Sequence, residues 1–315
     1  MPRLADLVEL VRAPAALSVP GDVIAGAAAA GGLDRRTPAL AGASVLLYWA
    51  GMAANDWADR DLDAVERPER PIPSGRVSPT AALGVAAGLT AAGLALAGAA
   101  GGRRAAAVAV PLAAAVWAYD LKAKNSPAGP PMMALCRGLD VLLGAGDGRT
   151  VRAVPAALTV AAHTWTVTAL SRREVTGTDV ALPLGTLTAT TLIAAGAAVG
   201  RTRRTGPTPT AGTAAGSTVR TAVSAVTRSE VAGLARAALP AGLAVWYALR
   251  YGTAQARVVA EPTAGRVRAA VGAGITGLPP LQGALTARAG SGLLGLAVAA
   301  AAPLARRLAR RVSPT

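Results

Sequence analysis

Residues 81–101 read AALGVAAGLTAAGLALAGAAG, an unbroken run without a charged side chain. At about 1.5 Å per residue, a helix of this length is about 30 Å long, the thickness of a bilayer's hydrocarbon core. Such a helix closes its backbone hydrogen bonds internally, which lipid requires because it offers no partner. Working outward from this span at 79–100, apolar stretches of similar length lie near 14–33, 39–55, 104–120, 131–147, 152–170 and 180–200. More follow near 231–250, 264–287 and 290–305. Charged residues make up 16% of the 315 and hydrophobic residues 52%, with a mean hydropathy of +0.42. A soluble domain carries about a quarter charged residues. The expected fold class is all-α, a polytopic transmembrane helical bundle.

The net charge is +15, and Lys122 and Lys124 are the only lysines among the basic residues. The arginines fall between apolar stretches and not along one amphipathic surface, so no nucleic acid is expected as a partner. The single cysteine, Cys136, excludes an internal disulfide, and the single histidine, His163, excludes a Cys/His metal cage. Asp6 and Glu9 interrupt the N-terminal segment, so Met1 to Arg12 does not read as a signal peptide. Leu4, Leu7, Val8 and Val11 instead predict a short interfacial helix. The Thr-, Gly-, Pro- and Arg-rich stretch at 201–230 predicts a flexible loop within one domain covering 1–315. Gly84-xxx-Gly88 and Gly196-xxx-Gly200 predict close helix packing. Gly272-x-Gly-x-x-Gly277 matches a dinucleotide fingerprint formally, but no strand precedes it, so that reading is rejected.

The chain holds 17 acidic residues, and six of them lie between Asp56 and Glu69. The motif Asn55-Asp-Trp-Ala-Asp-Arg-Asp-Leu-Asp63 directly follows an apolar span. If that helix continues, Asp56, Asp59 and Asp63 share a face within roughly 60°, and Asp61 points nearly opposite, into solvent. Three like charges on one face repel, and a divalent cation removes the repulsion. Carboxylates are hard oxygen ligands, and Mg²⁺ takes one or two of them together with phosphate oxygens. The bland alternative is a solvated polar loop between two spans. The next segment, Arg67-Pro-Glu-Arg70-Pro-Ile-Pro-Ser-Gly-Arg76, is stiffened by three prolines. It places Arg67 and Arg70 where they could clamp an anion.

Asn55-Asp-x-x-Asp-x-x-x-Asp63 followed by Arg67-Pro-x-Arg-Pro-Ile-Pro-Ser-Gly75 resembles the first aspartate-rich motif and loop of the UbiA prenyltransferase superfamily. Tyr119-Asp-Leu-Lys122 is similar to that family's Tyr-x-x-Lys element. The resemblance implies about nine spans around a central cavity. It implies Mg²⁺ held by Asp56, Asp59 and Asp63 with Asn55 assisting, and a diphosphate met by Arg67, Arg70, Tyr119 and Lys122. The implied partners are an isoprenyl diphosphate donor, a hydrophobic and commonly aromatic acceptor, and membrane lipid. The family's second motif, Asp-x-x-x-Asp, is replaced here by Ser171-Arg-Arg-Glu-Val-Thr-Gly-Thr-Asp179. Glu174 and Asp179 are five apart, so a regular helix would not stack them. One or the other would complete a second metal site or act as a base on the acceptor. This stretch, with Asn125-Ser-Pro-Ala-Gly129 and Cys136-Arg-Gly-Leu-Asp140, resembles the EboC-like branch, which is tied by gene context to export or processing of a secondary metabolite.

The expected activity is therefore Mg²⁺-dependent transfer of an isoprenyl group in the cytoplasmic membrane, with the site loops on the cytoplasmic side. The alternative is an impaired relative that binds or helps export an isoprenoid or secondary metabolite. Arg137 and Asp140, three apart in a span, are expected to face the bundle interior. His163 is expected to be a packing residue. The five tryptophans are expected mostly at span ends, or lining a cavity.

Overall fold

The structure, a computed structural model, describes residues 2–146, 149–199 and 219–312, with the backbone alone at Pro14, Ala15, Leu17, 219–237 and 304–312. It is all-helical throughout the described residues. The short α1 (Leu4–Leu10) and a 3-10 turn (Ala13–Ser18) lead into α2 (Val19–Ala30), α3 (Thr37–Ala58) and α4 (Arg60–Glu66). Then follow α5 (Pro79–Ala118), a π-turn (Tyr119–Ala123), α6 (Gly129–Leu143), α7 (Thr150–Ser171) and α8 (Ala181–Ala198). The chain ends in α9 (Val219–Ala260), α10 (Ala264–Arg288) and α11 (Gly292–Val312). Proline opens α2, α3, α5 and α6 at the first helical positions, where its missing N–H costs nothing. Ser78 caps α5, its Oγ accepting from the Ala81 amide at 3.2 Å.

Within α5 the backbone reverses at Gly102, whose φ of 64° and ψ of −157° suit glycine alone. The Trp117 indole N–H donates to Thr90 Oγ1 at 3.0 Å across that reversal, so 79–101 and 103–118 run antiparallel. The two stretches expected from the sequence, 79–100 and 104–120, are thus two antiparallel arms joined at Gly102. By length and apolarity, Thr37–Ala58, Pro79–Ala123, Thr150–Ser171 and Ala181–Ala198 can cross a membrane among the described residues. This measure does not reach the nine expected spans.

α2 sits centrally and touches α3, α6, α7 and α10; α3 packs on α5, α6 on α7, and α9 between α8 and α10. The α2–α6 crossing depends on glycine. A Cβ at Gly26 would lie 1.7 Å from the Val141 carbonyl oxygen, and one at Gly144 would lie 2.0 Å from that of Val23. Gly200 lies outside the described residues, and Gly84, Gly88 and Gly196 show no such approach, since a Cβ on each meets nothing within 4 Å. The expected tight packing at these glycines is corrected: their faces look outward, and spacing alone does not say which way a helix face turns. Residues 201–218 of the expected loop lie outside the described residues. The rest of it is corrected to helix, because 219–230 are the first turns of α9. Val219, Val223 and Val226 do recur there at helical spacing.

Candidate functional site

The aspartate-rich motif straddles the junction of α3 and α4. The helical ladder survives it, with the Asp59 amide donating to the Asn55 carbonyl at 2.9 Å and the Asp63 amide to the Asp59 carbonyl at 2.8 Å. Asp56 and Asp63 therefore turn inward together, 4% and 2% exposed. Asp61 is exposed and, among the described residues, pairs with neighbouring Arg60 at 3.5 Å.

Each inward carboxylate has a cation beside it. Arg70 Nη1 lies 2.5 Å from Asp63 Oδ2 and 3.5 Å from Asp56 Oδ1. The proline-stiffened loop holds it there: Ser74 caps the Arg70 carbonyl through Oγ at 2.6 Å, and the Val77 amide closes on the Pro71 carbonyl at 2.9 Å. Arg67, on the same loop, is exposed. Arg12 Nη2 reaches Asp56 Oδ1 at 2.6 Å from the turn after α1. Its φ of 45° is left-handed, a conformation that costs a non-glycine residue of order 1–3 kcal/mol and is kept only where surroundings hold it.

The third side of the cluster comes from the end of α5, where the helix widens into a π-turn and the Lys124 amide bonds the Tyr119 carbonyl at 2.9 Å. Such widenings occur often at functional sites. Lys124 Nζ lies 2.7 Å from Asp59 Oδ2, and buried Asp120 Oδ1 accepts from Asn55 Nδ2 at 3.2 Å. Lys122 is exposed, and Tyr119 is half-buried on the wall of a cavity. Arg172, at the end of α7, ties the same turn down by donating to the Lys124 and Ser126 carbonyls at 3.3 and 2.7 Å. The ends of α3, α5 and α7 thus converge on one face of the bundle.

Glu174 and Asp179 lie beyond α7. The Glu174 carbonyl accepts from Arg268 at 3.0 Å, and burial raises its carboxyl above the ordinary value while Arg268 opposes the rise. Asp179 is exposed and caps α8, its Oδ1 accepting from the Leu182 amide at 3.2 Å. No ion pair or hydrogen bond joins either to the Asp56 cluster among the described residues.

Beneath the cluster is a cavity of about 420 Å³. Arg12, Asn55 and Asp120 line its polar end, and Trp49, Met52, Val116, Met133, Ile275 and Leu278 line its apolar body. Among the described tryptophans only Trp49 faces it. Arg137 also borders it, but pairs with Asp22 of α2 at 2.7 Å and not with Asp140, which accepts from Ser44 Oγ of α3. Gln282 Nε2 completes this lock on Asp22 at 2.6 Å, joining α2, α3, α6 and α10. His163 also borders the cavity; it is 1% exposed, its Nδ1 is bonded to the Tyr247 hydroxyl at 3.0 Å, and its ring meets Tyr247 and Tyr251 edge-on.

Among the described residues no three acidic, cysteine or histidine side chains lie close enough to form a metal cage. The donor chemistry nevertheless fits Mg²⁺, which takes one or two carboxylates and completes its shell with water and phosphate oxygens. The contacts above engage Oδ1 of Asp56 and Oδ2 of Asp59, leaving the other oxygen of each outside these bonds. Sequence reading missed Arg12 and Asp120 and set Lys124 aside. Asp120 stood next to Tyr119, but nothing in the sequence distinguished Arg12 from other terminal arginines.

The sequence model of the UbiA prenyltransferase family matches residues 19–258. The chain belongs to that family. The digeranylgeranylglyceryl phosphate synthase of Natronomonas pharaonis is 48% identical over 85 residues, 26% of this chain and 31% of the relative. That of Methanopyrus kandleri is 36% identical over 132 residues, 42% of this chain and 47% of the relative. The matched part thus spans about a third to a half of these relatives' length. A solved structure described as a digeranylgeranylglyceryl phosphate synthase in membranes superposes with a TM-score of 0.59 at 17% identity, covering 91% of this chain and 98% of the other. A UbiA homologue from Aeropyrum pernix K1 gives 0.55 at 20% identity, over 89% and 96% of the two chains. These two likenesses establish the UbiA fold of the helical bundle.

Proposed function

We propose that this UbiA-family membrane protein transfers an isoprenyl group from an allylic diphosphate to a small acceptor with the help of Mg²⁺. One observation carries the reading. A cavity with an apolar body opens at one end onto a cluster of carboxylates and cations, as an amphiphilic donor with a charged head and a hydrocarbon tail requires.

Asp56 and Asp59, with the Asn55 amide oxygen, would hold the ion; bound there, Mg²⁺ supplies charge neutralisation of the diphosphate. Arg12, Arg70 and Lys124 already stand around the cluster and would meet the remaining phosphate oxygens. Arg67, Lys122 and Tyr119 would contribute at the rim. The C–O bond of the donor breaks with its electron pair on the diphosphate, whose growing charge this preorganised cluster stabilises. The resulting allylic cation bonds to a nucleophilic atom of the acceptor, which gives up its proton to Glu174 or Asp179, directly or through water. The apolar walls keep water from quenching the cation, and Trp49 offers it a π face. Asp63, almost wholly paired with Arg70, would act by fixing that arginine. The acceptor classes are an aromatic ring and the glyceryl phosphate that the relatives' names carry, and the site would face the cytoplasm.

The experiment is pyrophosphate release by purified protein in detergent, with allylic diphosphates of several lengths and both acceptor classes, with and without Mg²⁺. The expected result is Mg²⁺-dependent release that Asp56→Asn lowers at least about a hundredfold, the scale of losing a transition-state charge contact. Donor binding without release, with either acceptor class and in native membrane extract, would favour the binding or export reading.

A further inference from the structure

A second cavity, of about 470 Å³, lies away from this site, on the outer surface between α9 and α10. Its deep end is apolar, walled by Trp246 and Leu249 of α9 and Ala273 of α10. Its shallow end carries Arg257, one turn before the end of α9, and Arg266, in the first turn of α10. Trp246 and Leu249 are 39% and 61% exposed, so the groove opens outward and is not sealed by another described helix.

The charges are built in at graded depth. Arg257 and Arg266 sit at the level of the α9–α10 turn. Arg250 is two turns deeper, roughly 10 Å along the axis, and donates to Thr276 Oγ1 of α10 at 3.0 Å. Arg266 shares its charge with Glu261 at 3.1 Å, whereas Arg257 has no ion pair or hydrogen bond among the described residues. Three arginines and one carboxylate leave the groove a net positive charge. Long arginine stems lie well along apolar walls while their heads reach the headgroup level. A groove with apolar walls and an arginine rim suits a lipid, and its charge selects which headgroup. Arg guanidinium matches phosphate through paired N–H donors.

We propose that this groove is a binding site for one anionic phospholipid. Arg257 and Arg266 hold its phosphate, Arg250 meets the ester region below, and an acyl chain descends past Leu249 and Trp246. The groove's turn touches the loop that follows α7. The Thr178 amide donates to the Pro262 carbonyl at 3.2 Å, so the turn beside the groove is tied to the loop carrying Glu174 and Asp179.

The test is native mass spectrometry of the delipidated 315-residue protein in a neutral detergent, titrated with phosphatidylglycerol or phosphatidylcholine. Wild type is expected to hold phosphatidylglycerol preferentially. The Arg257→Gln/Arg266→Gln double variant is expected to lose about thirtyfold in affinity for it, the scale of two interfacial basic residues. A variant with the same charge loss at exposed Arg35 and Arg103, at the opposite end of the bundle, should bind as wild type does. Ala269→Trp, which blocks the groove with its arginines intact, should bind as weakly as the double variant. Equal binding of the two lipids, undiminished binding by the double variant or by Ala269→Trp, or an equal loss in the Arg35/Arg103 control would each overturn the proposal. Displacement of the lipid by millimolar inorganic phosphate would also overturn it, marking a bare anion site.

Discussion

Replacing Arg70 by Gln isolates the charge balance beneath the aspartate motif. Asp63 is 2% exposed, and its ion pair among the described residues is with Arg70, at 2.5 Å. Removing one partner of a buried pair strands the other charge, typically at a cost of about 3–5 kcal/mol. Arg70 itself is 17% exposed, so some water reaches it, and Asp56 keeps Arg12 at 2.6 Å. The expected loss is therefore at the lower end, about 3 kcal/mol, or more than a hundredfold in the folding equilibrium. Asp63→Asn alone strands less, because Arg70 still faces Asp56. The double variant Arg70→Gln/Asp63→Asn removes both charges and should recover most of the stability, giving a coupling of about 2 kcal/mol in a double-mutant cycle. Unfolding in detergent by graded denaturant, followed by tryptophan fluorescence, reads all four proteins. Activity should not follow stability: the double variant lacks the arginine for the diphosphate and should stay slow. An Arg70→Gln protein as stable as wild type, or a double variant no better than the single, would refute the assignment of Asp63 to holding Arg70.

Lys124→Gln should raise the donor KM by about tenfold, the loss of one charge-assisted hydrogen bond worth about 1.5 kcal/mol, while Lys122→Gln, at the exposed rim, should change it less; steady-state kinetics with varied donor distinguish them. Gly26→Ala should destabilise the bundle by about 1–3 kcal/mol or more through overpacking against the Val141 carbonyl. Gly84→Ala, in open space on a helix, should be neutral or stabilising by up to about 1 kcal/mol, as the same denaturant series would show. The hydrogen bond from Arg76 holds the Asp6 carboxyl below its ordinary value of 3.8, with Glu9 on the same guanidinium at 2.6 Å. A depressed acid contributes stability above its unfolded pKa and loses it as pH falls through the folded one. Docking of α1 should therefore be unchanged from neutral pH to about 4 and weaken below it. A spin label at position 5 would report the release, and Arg76→Gln should remove most of its pH dependence, leaving the smaller part due to Arg3.

Much of the architecture was legible because lipid imposes local rules. A spanning helix must be long, apolar and self-bonded, so residues 81–101 declared themselves, as did the break near 102 where Gly102 reverses the chain. Helical periodicity expected Asp56, Asp59 and Asp63 to share a face and Asp61 to point away. Asp56 and Asp63 are buried, Asp59 is partly exposed and Asp61 is in solvent, and that the shared face turns inward came from the packing. The α1 helix was legible from the same periodicity. In the 219–230 stretch, polar composition masked a valine spacing, and composition was the wrong guide.

What only the tertiary structure decided are the pairings between residues far apart in the chain. Arg12 meets Asp56 across 44 positions, and Asn55 meets Asp120 across 65. Arg137 chooses Asp22 over its helical neighbour Asp140, and Lys124, not Lys122, faces the acids once the π-turn has rotated the end of α5. A sequence states the donors and acceptors along each helix face, but which faces meet depends on where small residues permit close approach, as at Gly26 and Gly144. The chain's own periodicity therefore determined that acids gather at one helix end. The packing of α2, α3, α5 and α6 determined which cations answer them and how much apolar space lies beneath.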